Sequence, residues 1–173
     1  MIRIYVACLA AYNAGYLHGQ WLDLDDYDDV DELFADVNKM LAMSPIPDAE
    51  EFAIHDYEAE VSGIEISEYA SLENIVRLNA ALNAAHDAEA FAAFYVYHGR
   101  DLDYAEEKFD EAFRGLHESI EDFAHEELME LDEAYAAAFE GCRGWMPRID
   151  TIAFHQDYDV IDAPRGVYVF ANH

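Results

Sequence analysis

The sequence predicts an α+β chain in three modest segments, with small sheet-bearing N- and C-terminal domains around a helical middle domain. Three observations lead there. Apolar residues alternate near both ends, at Ile2–Leu9 and again at Val167–Phe170, which is the period of a half-buried strand. Between them they recur at three- and four-residue steps behind Ser and Asp caps, the period and punctuation of helices. The chain is also 53% hydrophobic, with 12 Tyr and 10 Phe, despite a net charge of −29 over 173 residues. Disordered acidic chains lack aromatics, so this one buries a real core. The expected domains are residues 1–61, 62–108 and 109–173.

In order, Ile2–Leu9 is the first strand, with Ile2, Ile4, Val6 and Cys8 on one face and Arg3, Tyr5 and Ala7 on the other. Asn13-Ala-Gly15 supplies a turn, and Tyr16–Leu24 returns as the second strand of a hairpin. Asp29 and Glu32 then cap a helix over roughly Val30–Met43, with Leu33, Phe34, Val37 and Leu41 as its buried stripe. Pro45 and Pro47 stop it. Glu51–Tyr57 is the third strand, closing a ββαβ unit.

Ser71 opens a helix through about Ala85, carried by Leu72, Ile75, Leu78 and Leu82. Asp87 opens the next, carrying Phe91, Phe94 and Tyr95, and Gly99 is placed to end it. Asp103 and Glu106 form a capping box for a helix ending near Gly115. Ser119 with Asp122 caps a long helix to about Phe139, whose apolar face is Ile120, Phe123, Ala124, Leu128, Leu131, Tyr135 and Phe139. After Gly141-Cys-Arg-Gly144 the pattern predicts short strands at Asp150–Phe154, Asp157–Asp162 and Val167–Phe170, with a turn at Pro164-Arg-Gly166.

No arrangement of residues points to catalysis, and no cofactor or metal is expected. His125-Glu-Glu-Leu-Met129 begins like a zinc-binding helix but lacks the second histidine at i+4. His55-Asp56-Tyr57 reads as a hydrogen-bonded histidine in a strand. The aspartate run from Asp23 has Asp28 where a calcium loop needs glycine. Cys8 and Cys142 are too few for a disulfide framework and have no metal-site spacing. Residues 2–11 are apolar but short and run into Tyr12 and Asn13, so they read as a strand, not a signal peptide. No apolar run is long enough to span a membrane; a cytoplasmic protein is expected.

Charge is the strongest functional signal. The chain has 38 acidic residues against 9 basic ones, so nucleic acid should repel it and a positively charged surface should attract it. Glu118, Glu121, Asp122, Glu126, Glu127, Glu130 and Glu133 repeat along one helix with no basic residue among them. Like charges at i,i+4 destabilise a helix, so stability is given up to show a surface of one sign. A second run, Asp23, Asp25, Asp26, Asp28, Asp29, Asp31 and Glu32, surrounds the first helix start. Proteins that hold nucleic acid are the main source of complementary basic surfaces. The competing readings are plain solvated faces, halophilic adaptation (only Lys39 and Lys108 are lysines), and an acidic chaperone that sequesters basic DNA-binding proteins.

Four blocks, in order along nearly the whole chain, resemble the ArdA-type antirestriction proteins: IRIYVACLAAYNAGYLHGQWLDL at the start, EEFAIHDYE, FDEAFRGLHESIEDFAHEEL, and GVYVF near the end. The resemblance implies an elongated, three-domain, homodimeric DNA mimic. Such proteins occupy the DNA-binding groove of type I restriction–modification enzymes, on the methyltransferase core, and protect incoming mobile DNA. By motif position, Phe109, Phe113, Gly115, Ile120, Phe123 and Ala124 are carried over as antirestriction-motif residues near the dimer contact. The first acidic run would then stand in for phosphates, together with Glu106, Glu107, Asp110, Glu111, Glu118, Glu121, Asp122, Glu126, Glu127 and Glu130.

Overall fold

The computed structural model describes residues 1–141 and 149–172. They form a mixed α+β chain: two antiparallel three-stranded sheets, one near each end, with helices between. The chain divides into two units, Met1–Leu102 and Asp103–His173. The stretch expected as a middle domain is shared between them.

In the first unit, β1 (Ile2–Cys8) is the centre of a sheet with β2 (Gly19–Asp23) on one side and β3 (Phe52–Ala59) on the other. The alternation in the sequence sets its faces: Ile2, Ile4, Val6 and Cys8 are wholly buried, while Arg3 is exposed. β1 and β2 do form a hairpin, but its connection carries an unforeseen turn of helix, α1 (Leu9–Asn13). The buried Cys8 thiol caps it, accepting from the Ala11 N–H at 3.5 Å. Between Tyr5 and Val6 the pairing with β3 shifts register, leaving His55 as the extra residue of a bulge.

A single 3-10 turn (Leu24–Asp26) leads to α2 (Val30–Ala42). Asp29 caps α2 as expected, accepting from the N–H groups of Asp31 and Glu32 at 2.9 and 3.0 Å. Glu32 answers the N–H of Asp28, at 3.2 Å. The buried stripe is Leu33, Val37, Met40 and Leu41; Phe34 is 39% exposed and rests edge-on against Phe52 instead. The 3.6-residue period puts Met40, not Phe34, in line with Leu33 and Val37. α3 (Leu72–Ala84) and α4 (Ala88–Tyr97) start at Ser71 and Asp87, whose side chains accept from Asn74 and Ala90 N–H groups. Gly99 follows α4 at φ +74°, a conformation that glycine adopts without a Cβ penalty.

All of α5 (Leu102–Ala112) but its first residue belongs to the second unit. This helix starts before Asp103, which therefore lies in its first turn and does not cap it. The break expected around Gly115 is a strand, β4 (Phe113–His117), paired with the central β6 (Gly166–Ala171), which also pairs with β5 (Tyr158–Ala163). Gly115, at φ +114°, sits where the β4–β6 register shifts. Gly166 opens β6 at φ +119°, and a Cβ there would run into the carbonyl oxygen of His117.

The long helix expected from Ser119 is two helices, α6 (Ile120–Leu131) and α7 (Glu133–Gly141). Asp132 makes the break: its backbone is extended, and its carboxylate takes the N–H groups of Ala134 and Tyr135 at 2.9 and 3.0 Å. That starts a new helix where an unbroken one would have left the carboxylate to water. As a result Leu131, placed on the apolar face by periodicity, is 73% exposed. Thr151–Asp157 is a helix, α8, not the strand expected at Asp150–Phe154. Asp150 caps it at 3.2 Å, and Phe154 packs on Phe123 and Tyr158, so capping and ring contacts prevail over the alternating pattern. Cys142 and the turn expected at Gly141-Cys-Arg-Gly144 lie, from residue 142 on, outside the described residues. None of the helices described is long and apolar enough to cross a membrane.

Candidate functional site

The first acidic run occupies the end of β2, the 3-10 turn and the first turn of α2, and all seven of its carboxylates are exposed. They are not equivalent. Asp23 caps the 3-10 turn through the Asp25 N–H at 3.2 Å, and Asp29 and Glu32 are the α2 caps described above. Asp25 is a hub. It pairs with the Met1 ammonium, and its other oxygen accepts from the amides of Asn79 at 2.9 Å and Asn83 at 2.7 Å. Asn79 is itself buried and accepts the N–H of Ile2 at 2.9 Å. The ammonium first, then the two amides, hold the Asp25 carboxyl at about 2, below its ordinary 3.8. Burial, then the Asp36 carboxylate that accepts its hydroxyl, push Tyr27 up to about 12. Asp26, Asp28 and Asp31 offer their side chains outward without such a role.

The second group lies on α5, on the link to α6 and on α6. Glu106, Glu107, Asp110 and Glu111 are exposed on α5, with the Lys108 ammonium 3.0 Å from Glu107 and 3.9 Å from Glu111. Glu118, Glu121, Glu126 and Glu130 are exposed; Asp122 and Glu127 are half-buried. Each half-buried acid has a local donor. The Ser119 oxygen takes the Asp122 N–H at 3.1 Å, the cap expected, while the Asp122 carboxylate accepts the Ser119 hydroxyl at 2.6 Å and not, as a full capping box would, the Ser119 backbone N–H. Glu127 accepts the Tyr158 hydroxyl at 3.0 Å; burial first, then this bond, raise that tyrosine's pKa. Glu126 lies 3.2 Å from Nδ1 of His117. Among the described residues, Glu118, Glu121 and Glu130 make no side-chain hydrogen bond or ion pair.

The motif residues are the frame under this surface. Phe109 is buried and stacked on Phe113, centroids 5.3 Å apart, and both rings lie against Phe170 of β6. Phe123 and Ala124 are the two buried residues of α6. Phe123 meets His117 at 5.0 Å and Tyr158 at 4.8 Å. Ile120 is half-buried at the α6 start. The motif thus builds the core that fixes α6 on the sheet and leaves its acids outward.

Sequence reasoning missed Asn79 and Asn83, which no local pattern connects to Asp25. It also passed over the exposed Glu58, Glu60, Glu65, Glu68 and Glu73, whose only signal was the overall charge. His125 bonds the Tyr135 hydroxyl at 2.9 Å and meets the Phe139 ring at a tilt of 55°, tying α6 to α7. His55 is exposed, edge-on to Tyr12. Among the described residues no group of three His, Cys, Asp or Glu side chains is placed to hold a metal ion.

No curated protein matches the chain. Residues 4–162 match the family described as Antirestriction protein (ArdA), nearly the full length of the chain and including the whole aromatic motif. The chain therefore belongs to the ArdA antirestriction family, a family of inhibitors whose function implies an interaction with restriction enzymes.

Proposed function

We propose that the protein is a homodimeric mimic of duplex DNA. It occupies the DNA-binding groove on the methyltransferase core of a type I restriction–modification enzyme, in the cytoplasm, and so protects incoming mobile DNA. The observation that carries this reading is the outward surface of α6. Asp122, Glu126, Glu127 and Glu130 stand on it at mutually repelling spacing, and Glu130, with Glu121 in the first turn and Glu118 just ahead of the helix, is left without a partner among the described residues. Carboxylates kept at a cost to the helix are of use only to something outside it. A basic groove gains by trading its counterions for them, as it does for phosphates.

The magnitudes agree. Duplex DNA carries one charge per 1.7 Å of axis, so a net −29 equals roughly 50 Å of duplex, and a dimer roughly 100 Å. In this reading the first acidic run and the α5–α6 acids replace phosphates, while Phe109, Phe113, Gly115, Ile120, Phe123 and Ala124 hold the frame and adjoin the dimer contact. Lys108 offsets part of the charge of Glu107 and Glu111, so these two contribute less than Glu118, Glu121 and Glu130.

The test is competition with duplex DNA for a type I methyltransferase core at several salt concentrations. Binding should weaken steeply as salt rises. Replacing Glu118, Glu121, Glu126 and Glu130 together by Gln should weaken it about fourfold or more, since exposed pairs contribute roughly 0.2–1 kcal/mol each. Salt-independent inhibition, or its abolition by Glu121→Gln alone, would rule out distributed mimicry. Capture of many basic proteins with no effect on the enzyme would mean a chaperone instead.

A further inference from the structure

The face of the first sheet opposite its aliphatic core carries an aromatic pair in an acidic setting. The Trp21 and Tyr5 rings are cross-strand partners, 5.6 Å apart and tilted by 57°. The Arg3 guanidinium lies over Trp21, 4.6 Å from the ring centre. Arg3 is flanked across β2 by Asp23 and across β3 by Glu58, with Asp56 opposite Tyr5. Beside it is a depression of about 410 Å³ lined by Arg3, Asp23, Asp25, Glu58 and Glu60, among others.

We propose that this sheet face is a receptor for an arginine side chain of the protein's basic partner, and that Arg3 fills it while the partner is absent. Arg3 shows that a guanidinium fits. A flat cation stacks on an indole and directs its fork of donors at carboxylates, which a compact ammonium does not match. Arg3 is held loosely: its nearest carboxylate contact is 3.4 Å, to Glu58, and its side chain is 45% exposed. The charge left over is negative, since Asp23 and Glu58 flank this one cation and Glu60 lines the same depression, so an incoming guanidinium is attracted even before Arg3 gives way. Asp25, committed to the Met1 ammonium and two asparagine amides, forms a fixed wall and not a ligand.

The inference rests on the mimicry reading for the basic nature of the partner, and it adds a selectivity that phosphate imitation lacks. Carboxylates spread like phosphates accept lysine and arginine alike; the Trp21 platform prefers arginine.

The test needs no restriction enzyme, so its failure and the failure of mimicry are separable. In a Trp145→Phe background, Trp21 is the only indole. Hexa-arginine and hexa-lysine peptides are titrated at matched salt, following Trp21 emission and the heat of binding. Expected are a saturable change in Trp21 emission and an affinity for hexa-arginine about two- to fivefold above that for hexa-lysine. Arg3→Ala should widen that ratio, because it empties the platform, whereas the added net charge alone would strengthen both peptides equally. Trp21→Leu, followed by calorimetry, should bring the ratio to one. If that variant fails to fold, Glu58→Gln, which leaves the ring in place, should still narrow the ratio. Equal affinities, an unresponsive Trp21, or a ratio that narrows in Arg3→Ala would overturn the proposal. So would a Trp21 change on raising protein concentration alone, which would mean that a second copy supplies the guanidinium.

Discussion

The two units solve the same problem, holding a sheet together beneath many negative charges, with different materials. The first is cored mainly by aliphatics from β1, α2 and α3, such as Ile2, Ile4, Val6, Leu33, Val37 and Leu82, with Phe91 and Phe94 of α4 buried as well. Its acid run is largely put to local use, as caps or, at Asp25, as an anchor. The second is held by two sets of rings in contact, Phe109, Phe113, Tyr168 and Phe170 in one and Phe123, Phe154 and Tyr158 in the other. Several of its acids are left with nothing local to do. The difference shows that equal exposure does not mean equal purpose. A carboxylate that caps a helix or holds buried amides belongs to the fold, and one that repels its neighbours without compensation is, under the proposed function, there for the partner.

Phe123→Ala should have the largest effect, costing about 3–5 kcal/mol, as expected for a phenylalanine deleted from a core. Phe113→Ala, at a half-buried ring, should cost less. Hydrogen exchange should then show protection lost in residues 103–173 and kept in the first sheet; loss in both together would merge the two units into one cooperative block. Next comes Asp25→Ala. It leaves the Asn79 amide buried without its acceptor, at a cost of about 1–3 kcal/mol in chemical denaturation.

A pH series sharpens the same contrast. The folded Asp25 carboxyl titrates at about 2 against 3.8 for its ordinary value. The unfolded chain therefore takes up that proton first, so the stabilisation is complete above about 4 and drains away as pH falls toward 2. Asp25→Asn should flatten that part of the stability curve. The smallest effect belongs to Glu121→Gln, within about 0.5 kcal/mol of the parent in stability. If Glu121 proved as costly as Asp25, the division between fold acids and partner acids would collapse.

Helix starts were legible because capping is local. Asp29, Ser71, Asp87 and Ser119 each cap the helix expected of them, the donor lying two or three residues on. The β1 faces were legible for the same reason. What failed was decided at a distance or by a single side chain. Phe113–His117 is five residues with a glycine at their centre, too short for a period, and is a strand because β6 arrives from fifty residues away. The apolar period runs unbroken through Asp132, so only the carboxylate's own bonds reveal the break. At the candidate site the acids themselves were plain in the sequence. Which of them is tied down was not, because Asn79 and Asn83 reach Asp25 across 54 and 58 residues.

Gly166 bears on how the motif region could be dissected. With no side chain there, β6 passes close to the His117 carbonyl and lays Phe170 beneath Phe109 and Phe113. A peptide cut to residues 109–128 would carry every letter of the motif and none of its floor. Shortening the chain ahead of this one glycine should therefore silence the acidic helix without removing a single carboxylate from it.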